Sequence, residues 1–258
     1  MIDGIIPDEI REGPAAIRAT IRDSRSAAVE AASLLRDRRV TRIFAIGNGT
    51  SRHTALAAAA LYARHAGPGD PIVVPLTAGE FRRYRPRLGA RDAILGISAS
   101  GEFADVVQSF AELRGTLPTI GVVHVPDSRV GSIADRVVVS SGGPSRVPVM
   151  TKTFSATLVA TEMTLLAILG PDQADPVIEA IDAAADHAAA AIDVAAQHED
   201  QVMRVLEGYE HVFVVGAGLA HFAALEAALK LKEIALVHAE GGETWEVSSG
   251  AATMLDER

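Results

Sequence analysis

The chain has 258 residues, 48% of them hydrophobic and only 4% aromatic, enough for one large or two small globular units with real cores. Its 33 acidic against 24 basic residues give a net charge of -9, the wrong sign for wrapping a nucleic acid backbone, and the lack of cysteine excludes disulfides, thiolate metal sites and cysteine nucleophiles. The opening MIDGIIPDEIREG does not read as a secretory signal and no window holds about 18 uncharged apolar residues, so the expectation is a soluble cytoplasmic protein with no nucleic acid or membrane partner.

In chain order, residues 14–37 (PAAIRATIRDSRSAAVEAASLLRD) space apolar side chains at helical intervals and predict an amphipathic helix within an N-terminal helical segment, 1–38. β-Branched runs follow at 42–47 (RIFAIG), 71–76 (PIVVPL), 92–98 (DAILGIS), 118–125 (PTIGVVHV) and 136–140 (RVVVS). Helical stretches lie between them near 51–66, 78–84 and 101–115. This alternation predicts an α/β, doubly wound parallel sheet over 39–171. Two longer helices are expected near 152–169 and 174–207, the second an alanine-rich linker over 172–207.

The stretch 42-RIFAIGNGTSRHTALAAAALY-62 overlays 211-HVFVVGAGLAHFAALEAALKL-231 at a constant offset of 169. Phe44, Gly47, Gly49 and Leu56 fall on Phe213, Gly216, Gly218 and Leu225, so the glycines recur at the same strand-to-helix turn. An internal duplication is the better reading, with a second domain starting at 208. Only 51 residues remain from there, so that domain is expected to be incomplete at 258.

Two turns have the chemistry of a phosphate cradle, in which backbone N–H groups at a helix N-terminus act together with nearby hydroxyls. One is 47-GNGTS-51, with Gly49, Thr50 and Ser51; the other is 98-SASGE-102, with Ser98, Ser100, Gly101 and Glu102. The competing reading is that these hydroxyls only cap helices. Against it, the second copy has Leu219 and Ala220 where the first has Thr50 and Ser51, an asymmetry that capping does not require. Ser98 and Ser100 share a direction if the strand continues through them. A dinucleotide site fits less well, because Arg52 and His221 occupy the third-glycine position of the fingerprint.

Glu226, Lys230 and Glu233 are spaced to share one helical face, either as a solvated ion-pair stripe or as a carboxylate held near a lysine and able to move a proton. Glu240, Glu243 and Glu246 surround paired glycines and suggest a pocket wall. His53, His124 and His238 lack metal-ligand spacing and read as structural, and neither a metal nor another cofactor is implied.

With GTS at 49–51, SASGE at 98–102, TK at 151–152 and ALEAALKLKEIALVHAE at 224–240, the chain resembles the SIS (sugar isomerase) phosphosugar-binding family, most closely the isomerase part of the glucosamine-6-phosphate synthases. The resemblance implies two SIS-type sheets flanked by helices and a homodimer. It also implies a phosphosugar held by Thr50, Ser51, Ser98 and Ser100, and Glu233 moving a proton between C1 and C2 with help from Lys230. Departures fall at Ala99 for glutamine, Phe103 for threonine, Met150 for serine and Ser249 for histidine. Set against the family's pattern, the expectation is a chain without the tail that supplies a further substrate-contacting lysine and without the N-terminal cysteine of glutamine-driven amidotransfer. The expected activity is isomerisation, or deamination or deglycation, of a sugar or aminosugar phosphate. A non-catalytic sensor acting through a protein partner is the alternative. Phe103 is expected to narrow or re-aim the site unless its ring packs in the core.

Overall fold

The computed structural model describes residues 4–254, so the outermost residues of the two end segments lie outside the description, and it divides into two compact units, Met1–Val194 and Ala195–Arg258.

The first unit opens with a short helix, α1 (Ile5–Arg11), and then α2 (Gly13–Asp37). Pro14 sits in the first turn of α2, where the proline's missing N–H costs nothing, and Ala28, Ala31, Ala32 and Leu35 form the buried stripe that helical spacing predicts. The chain continues through β1 (Arg42–Gly47), α3 (Thr50–Ala63), β2 (Ile72–Thr77), α4 (Ala78–Tyr84), β3 (Asp92–Ser98) and α5 (Ala104–Leu113). Then come β4 (Thr119–Val123), α6 (Arg129–Ile133), β5 (Arg136–Val139), α7 (Lys152–Leu166) and α8 (Pro171–Gln197).

The five strands are all parallel, in the order β2-β1-β3-β4-β5. Strand alternation sends Ile43 and Ala45 to one face, with Ala58, Tyr62 and Leu165 of α3 and α7, and sends Phe44 and Ile46 to the other, with Phe81, Val106, Phe110 and Val130 of α4, α5 and α6. A third cluster joins Ala28, Met163, Leu166 and Ile178 of α2, α7 and α8. Residues Lys152–Leu169 are long and apolar enough to cross a membrane by length and composition, but 67% of that stretch is buried in the fold, where it packs on α2 and α3 as a core helix.

The second unit contains α9 (Glu199–Leu206), β6 (His211–Gly216), α10 (Ala220–Lys230), a π-helical turn (Leu231–Ala235), β7 (His238–Glu243) and α11 (Thr244–Ser249). β6 and β7 pair in parallel from His211↔His238 to Gly216↔Glu243. One expectation changes. The long helix over 174–207 is broken at His198, whose ψ of 7° leaves the helical basin and separates α8 from α9. The segment around Glu240 is a strand, and Glu240, Gly241, Gly242 and Glu246 line a cavity of ≈ 370 Å³ with Phe213, as a pocket wall would. Gly241 is needed there, since a Cβ on it would lie 2.6 Å from the Leu225 backbone.

The duplicated glycines do the same work in both units. Gly49 and Gly218 both take positive φ, at 53° and 59°. A Cβ at Gly47 would meet that of Ser51 at 2.7 Å, and one at Gly216 would meet the Ala220 carbonyl oxygen at 2.4 Å. In each case the helix starts hard against the end of its strand.

Candidate functional site

Strand order reverses on either side of β1, so the switch point lies between β1 and β3, where the crevice of an open α/β sheet forms at the C-terminal strand ends. Those two strands are followed by the two hydroxyl-bearing turns. β1 and β3 are direct neighbours, with Ile46 opposite Gly96, so 47–51 and 98–102 emerge side by side.

In the first turn, α3 has no side-chain cap, and Thr50 and Ser51 are buried in its first helical turn. The helix N-terminus is closed instead by Gly49, whose carbonyl accepts from the amides of Arg52 (2.9 Å) and His53 (3.1 Å). Asn48 steadies the turn by accepting from the Ala78 amide at 3.2 Å, which ties it to the start of α4.

The second turn uses its serines differently. β3 ends at Ser98, so strand alternation does not carry through to Ser100: Ser98 is buried and Ser100 exposed. Ser98 Oγ accepts from the Gly101 amide at 3.1 Å, and Ser100 Oγ from the Glu102 amide at 3.3 Å. A hydroxyl that accepts from an amide still has its own hydrogen to donate to an anion. Gly101 has φ +66°, and a Cβ there would lie 1.9 Å from Ser128 Oγ. The Glu102 carboxylate turns to Arg129, accepting from its backbone amide (2.8 Å) and Nε (2.6 Å). Those hydrogen bonds hold its pKa below the ordinary carboxylate value, so the group anchors the turn to α6. Phe103, the last residue before α5, is 52% exposed, and its ring is not in the core.

Sequence reasoning missed the third wall. The ends of β4 and β5 and the 140–151 loop enclose, with Ala99 and Ser100, a cavity of ≈ 660 Å³ that Met150 also lines. His124 holds this loop: Nδ1 lies 2.7 Å from the Ser140 carbonyl oxygen and Nε2 lies 2.6 Å from that of Gly143. At the far end, the fully buried Glu9 carboxylate accepts from the Arg146 amide and from Thr151 Oγ1 (2.6 Å), while Glu12 pairs with Lys152 and Arg146. Burial pushes the Glu9 carboxyl up, but the hydrogen bonds and the charges of Lys152 and Arg146 outweigh it and hold it below its ordinary value. The TK motif at 151–152 was the only trace of this clasp in the sequence.

In the second unit, Lys230 Nζ lies 3.1 Å from Glu226 Oε1 and 2.5 Å from Glu233 Oε2. α10 ends at Lys230, and Glu233 falls in the π-helical turn, an uncommon conformation that often marks functional positions. Glu243 caps α11 by accepting from the Trp245 and Glu246 amides. His238 pairs edge-on with His211, Nδ1 to Nδ1 at 3.0 Å, and Ser249 Oγ donates to the Trp245 carbonyl.

Residues 34–167 match the SIS domain family. The chain belongs to that family. The glutamine–fructose-6-phosphate aminotransferase (isomerizing) of Gloeobacter violaceus is 32% identical over 262 residues, and that of Pyrococcus horikoshii is 32% identical over 260. Each alignment covers 96% of this SIS chain but only 42% and 41% of those proteins, so the chain spans about two fifths of the length of the curated relatives it matches. Among solved structures, the C-terminal domain of glucosamine-fructose-6-phosphate aminotransferase from Francisella tularensis superposes with a TM-score of 0.85 at 25% identity, covering 96% of this chain and 72% of that one. The SIS match spans β1 to α7, so both hydroxyl-bearing turns and the cavity loop lie within it.

Proposed function

We propose that this SIS chain binds a phosphorylated sugar or aminosugar and interconverts it by proton transfer between C1 and C2, as an isomerase or as a deaminase or deglycase. The observation that carries the reading is the pair of hydroxyl-bearing turns at the β1/β3 switch point. One has Gly49 at the N-cap and places Thr50 and Ser51 in the first turn of α3; the other keeps the Ser98 and Ser100 hydrogens for an anion. On this reading Gly49 and Gly101 let the backbone close on the phosphate, and Glu102 keeps the second turn in place. Glu233 takes the proton from one carbon of the open-chain sugar, leaving an enediol or enolamine, and returns it to the neighbouring carbon. Lys230 holds that carboxylate in position. Residues 208–258 are taken as the start of a second SIS domain and the assembly as a homodimer. The relatives' names support the sugar phosphate chemistry, since both concern fructose 6-phosphate.

Replacing Glu233 by Gln is expected to abolish solvent-deuterium exchange at the substrate carbon while phosphosugar binding persists. Unchanged exchange would remove Glu233 from the chemistry. Ala99, Phe103, Met150 and Ser249 favour a second reading, a sensor that binds without turnover. Thermal shifts with a panel of sugar phosphates, each hit followed by a turnover assay, separate the two: stabilisation without product selects the sensor.

A further inference from the structure

The cavity beside Ser100 has a surface that does not suit a bare sugar. Its walls present Val125 and Pro126 after β4, and Val147, Pro148, Val149 and Met150 from the loop. Three of its polar side chains, His124, Ser140 and Ser145, are engaged with the protein's own backbone, while Ser100 stands at the end next to the cradle. Both ring nitrogens of His124 face carbonyl oxygens, Ser145 Oγ donates to the Val147 carbonyl at 2.8 Å, and Ser140 Oγ lies 3.4 Å from the Val123 carbonyl oxygen. A sugar carries a hydroxyl on almost every carbon, and burying one without a partner is unfavourable. Val125 is 45% exposed, an uncovered apolar side chain at the mouth of a site. At ≈ 660 Å³ the space is also within the range that encloses drug-sized ligands, larger than one phosphosugar needs.

We infer that the ligand is a phosphosugar bearing an apolar acyl or alkyl substituent of several carbons, and that this cavity takes the substituent. The inference rests on the proposed phosphosugar reading and adds the substrate class. Met150, placed where the resembled family has a serine, then acts as a specificity residue, supplying carbon contact in place of a hydroxyl.

The test is a chain-length series on the intact protein: inorganic phosphate, glucosamine 6-phosphate, and its N-acetyl, N-butyryl and N-hexanoyl derivatives, with affinities from calorimetry. Affinity is expected to rise along the series, by about fourfold per buried methylene over the first steps. The ratio of N-hexanoyl to unsubstituted affinity is expected to fall roughly tenfold in Met150→Ser. It should also fall in Val125→Ser, a partly exposed position where folding is little at risk. If the unsubstituted phosphosugar binds and the series is flat or declining, the inference is overturned and the phosphosugar reading stands. If no phosphosugar binds, both are overturned. Unchanged ratios in both variants, with the series rising, would place the substituent elsewhere and also overturn the inference.

Discussion

Glu162 is a carboxyl group on α7, a helix otherwise made largely of apolar, alanine and threonine residues. Its side chain reaches the surface only in part, and burial alone pushes its pKa up from 4.5 to about 8. The folded chain therefore keeps a proton that the unfolded chain releases above about 4.5, and stability falls as pH rises from there towards 8. Replacing Glu162 by Leu should remove that slope and raise stability at pH 8 by on the order of 2 kcal/mol, less than the roughly 5 that the whole shift is worth at about 1.4 kcal/mol per unit, because the side chain is partly open to water. Urea midpoints at pH 5 and pH 8 check this; a variant that keeps the wild-type slope assigns the pH dependence to other groups. Glu9, Glu80, Asp92 and Glu102 have the opposite sign, all held below their ordinary values by hydrogen bonds from neighbours. Their contribution is present above the ordinary carboxylate range and is lost as pH falls through the depressed values. Opposite slopes from different residues thus bound the stable pH range from both sides.

At the level of elements, the 140–151 loop shows how an irregular segment is held in place. It forms no strand or helix, yet Ser141 donates its amide to Thr20 Oγ1, Ser24 donates to the Val139 carbonyl, His124 bridges two of its carbonyls and Glu9 binds its far end. Replacing the buried Glu9 by Ala removes the partner of the Arg146 amide and the Thr151 hydroxyl, and should cost about 3 kcal/mol in urea unfolding. Amide exchange over 141–151 should accelerate while β3 and β4 keep their protection; unaltered loop exchange would show that Glu9 does not hold it. None of this was readable from sequence, because Glu9 and Thr151 are 142 residues apart and only the fold makes them neighbours. What was readable was local. β1 and β3 run over the residues expected of them because RIFAIG and DAILGIS are continuous apolar runs, as strands buried on both faces must be. β7 was missed because HAEGGE combines glutamates and glycines that usually leave a sheet. At the site, the glycine turns and their serines were legible from residue type and spacing. That Glu102 turns to Arg129 and that Ser98 closes its own turn depends on three-dimensional partners.

Across the whole molecule, the two units differ in what they bury. The first has three apolar clusters with large side chains, among them Tyr62, Phe110, Ile94, Leu95 and Met163, all essentially inaccessible. In the second, the buried apolar residues among those described are Ala224, Ala228 and Ala239, while Leu236 is 85% and Trp245 77% exposed. Hydrophobic stabilisation scales with the apolar area removed from water, so three alanines cannot match clusters of isoleucine, leucine and phenylalanine. Pairing differs in the same sense: β1 is hydrogen-bonded on both edges, whereas β6 pairs with β7 alone among the described residues. An opening that releases β6 and β7 should therefore need less free energy than one that releases β1, β3 and β4, and the chain should not unfold as one cooperative body. Native-state hydrogen exchange under mildly destabilising urea is the direct check. The central strands of the first sheet should exchange only on global unfolding, and the amides of Val212–Val215 at least about a hundredfold faster, which corresponds to about 2.7 kcal/mol. Equal protection in the two sheets would mean that the second unit draws stability from something other than its own buried surface.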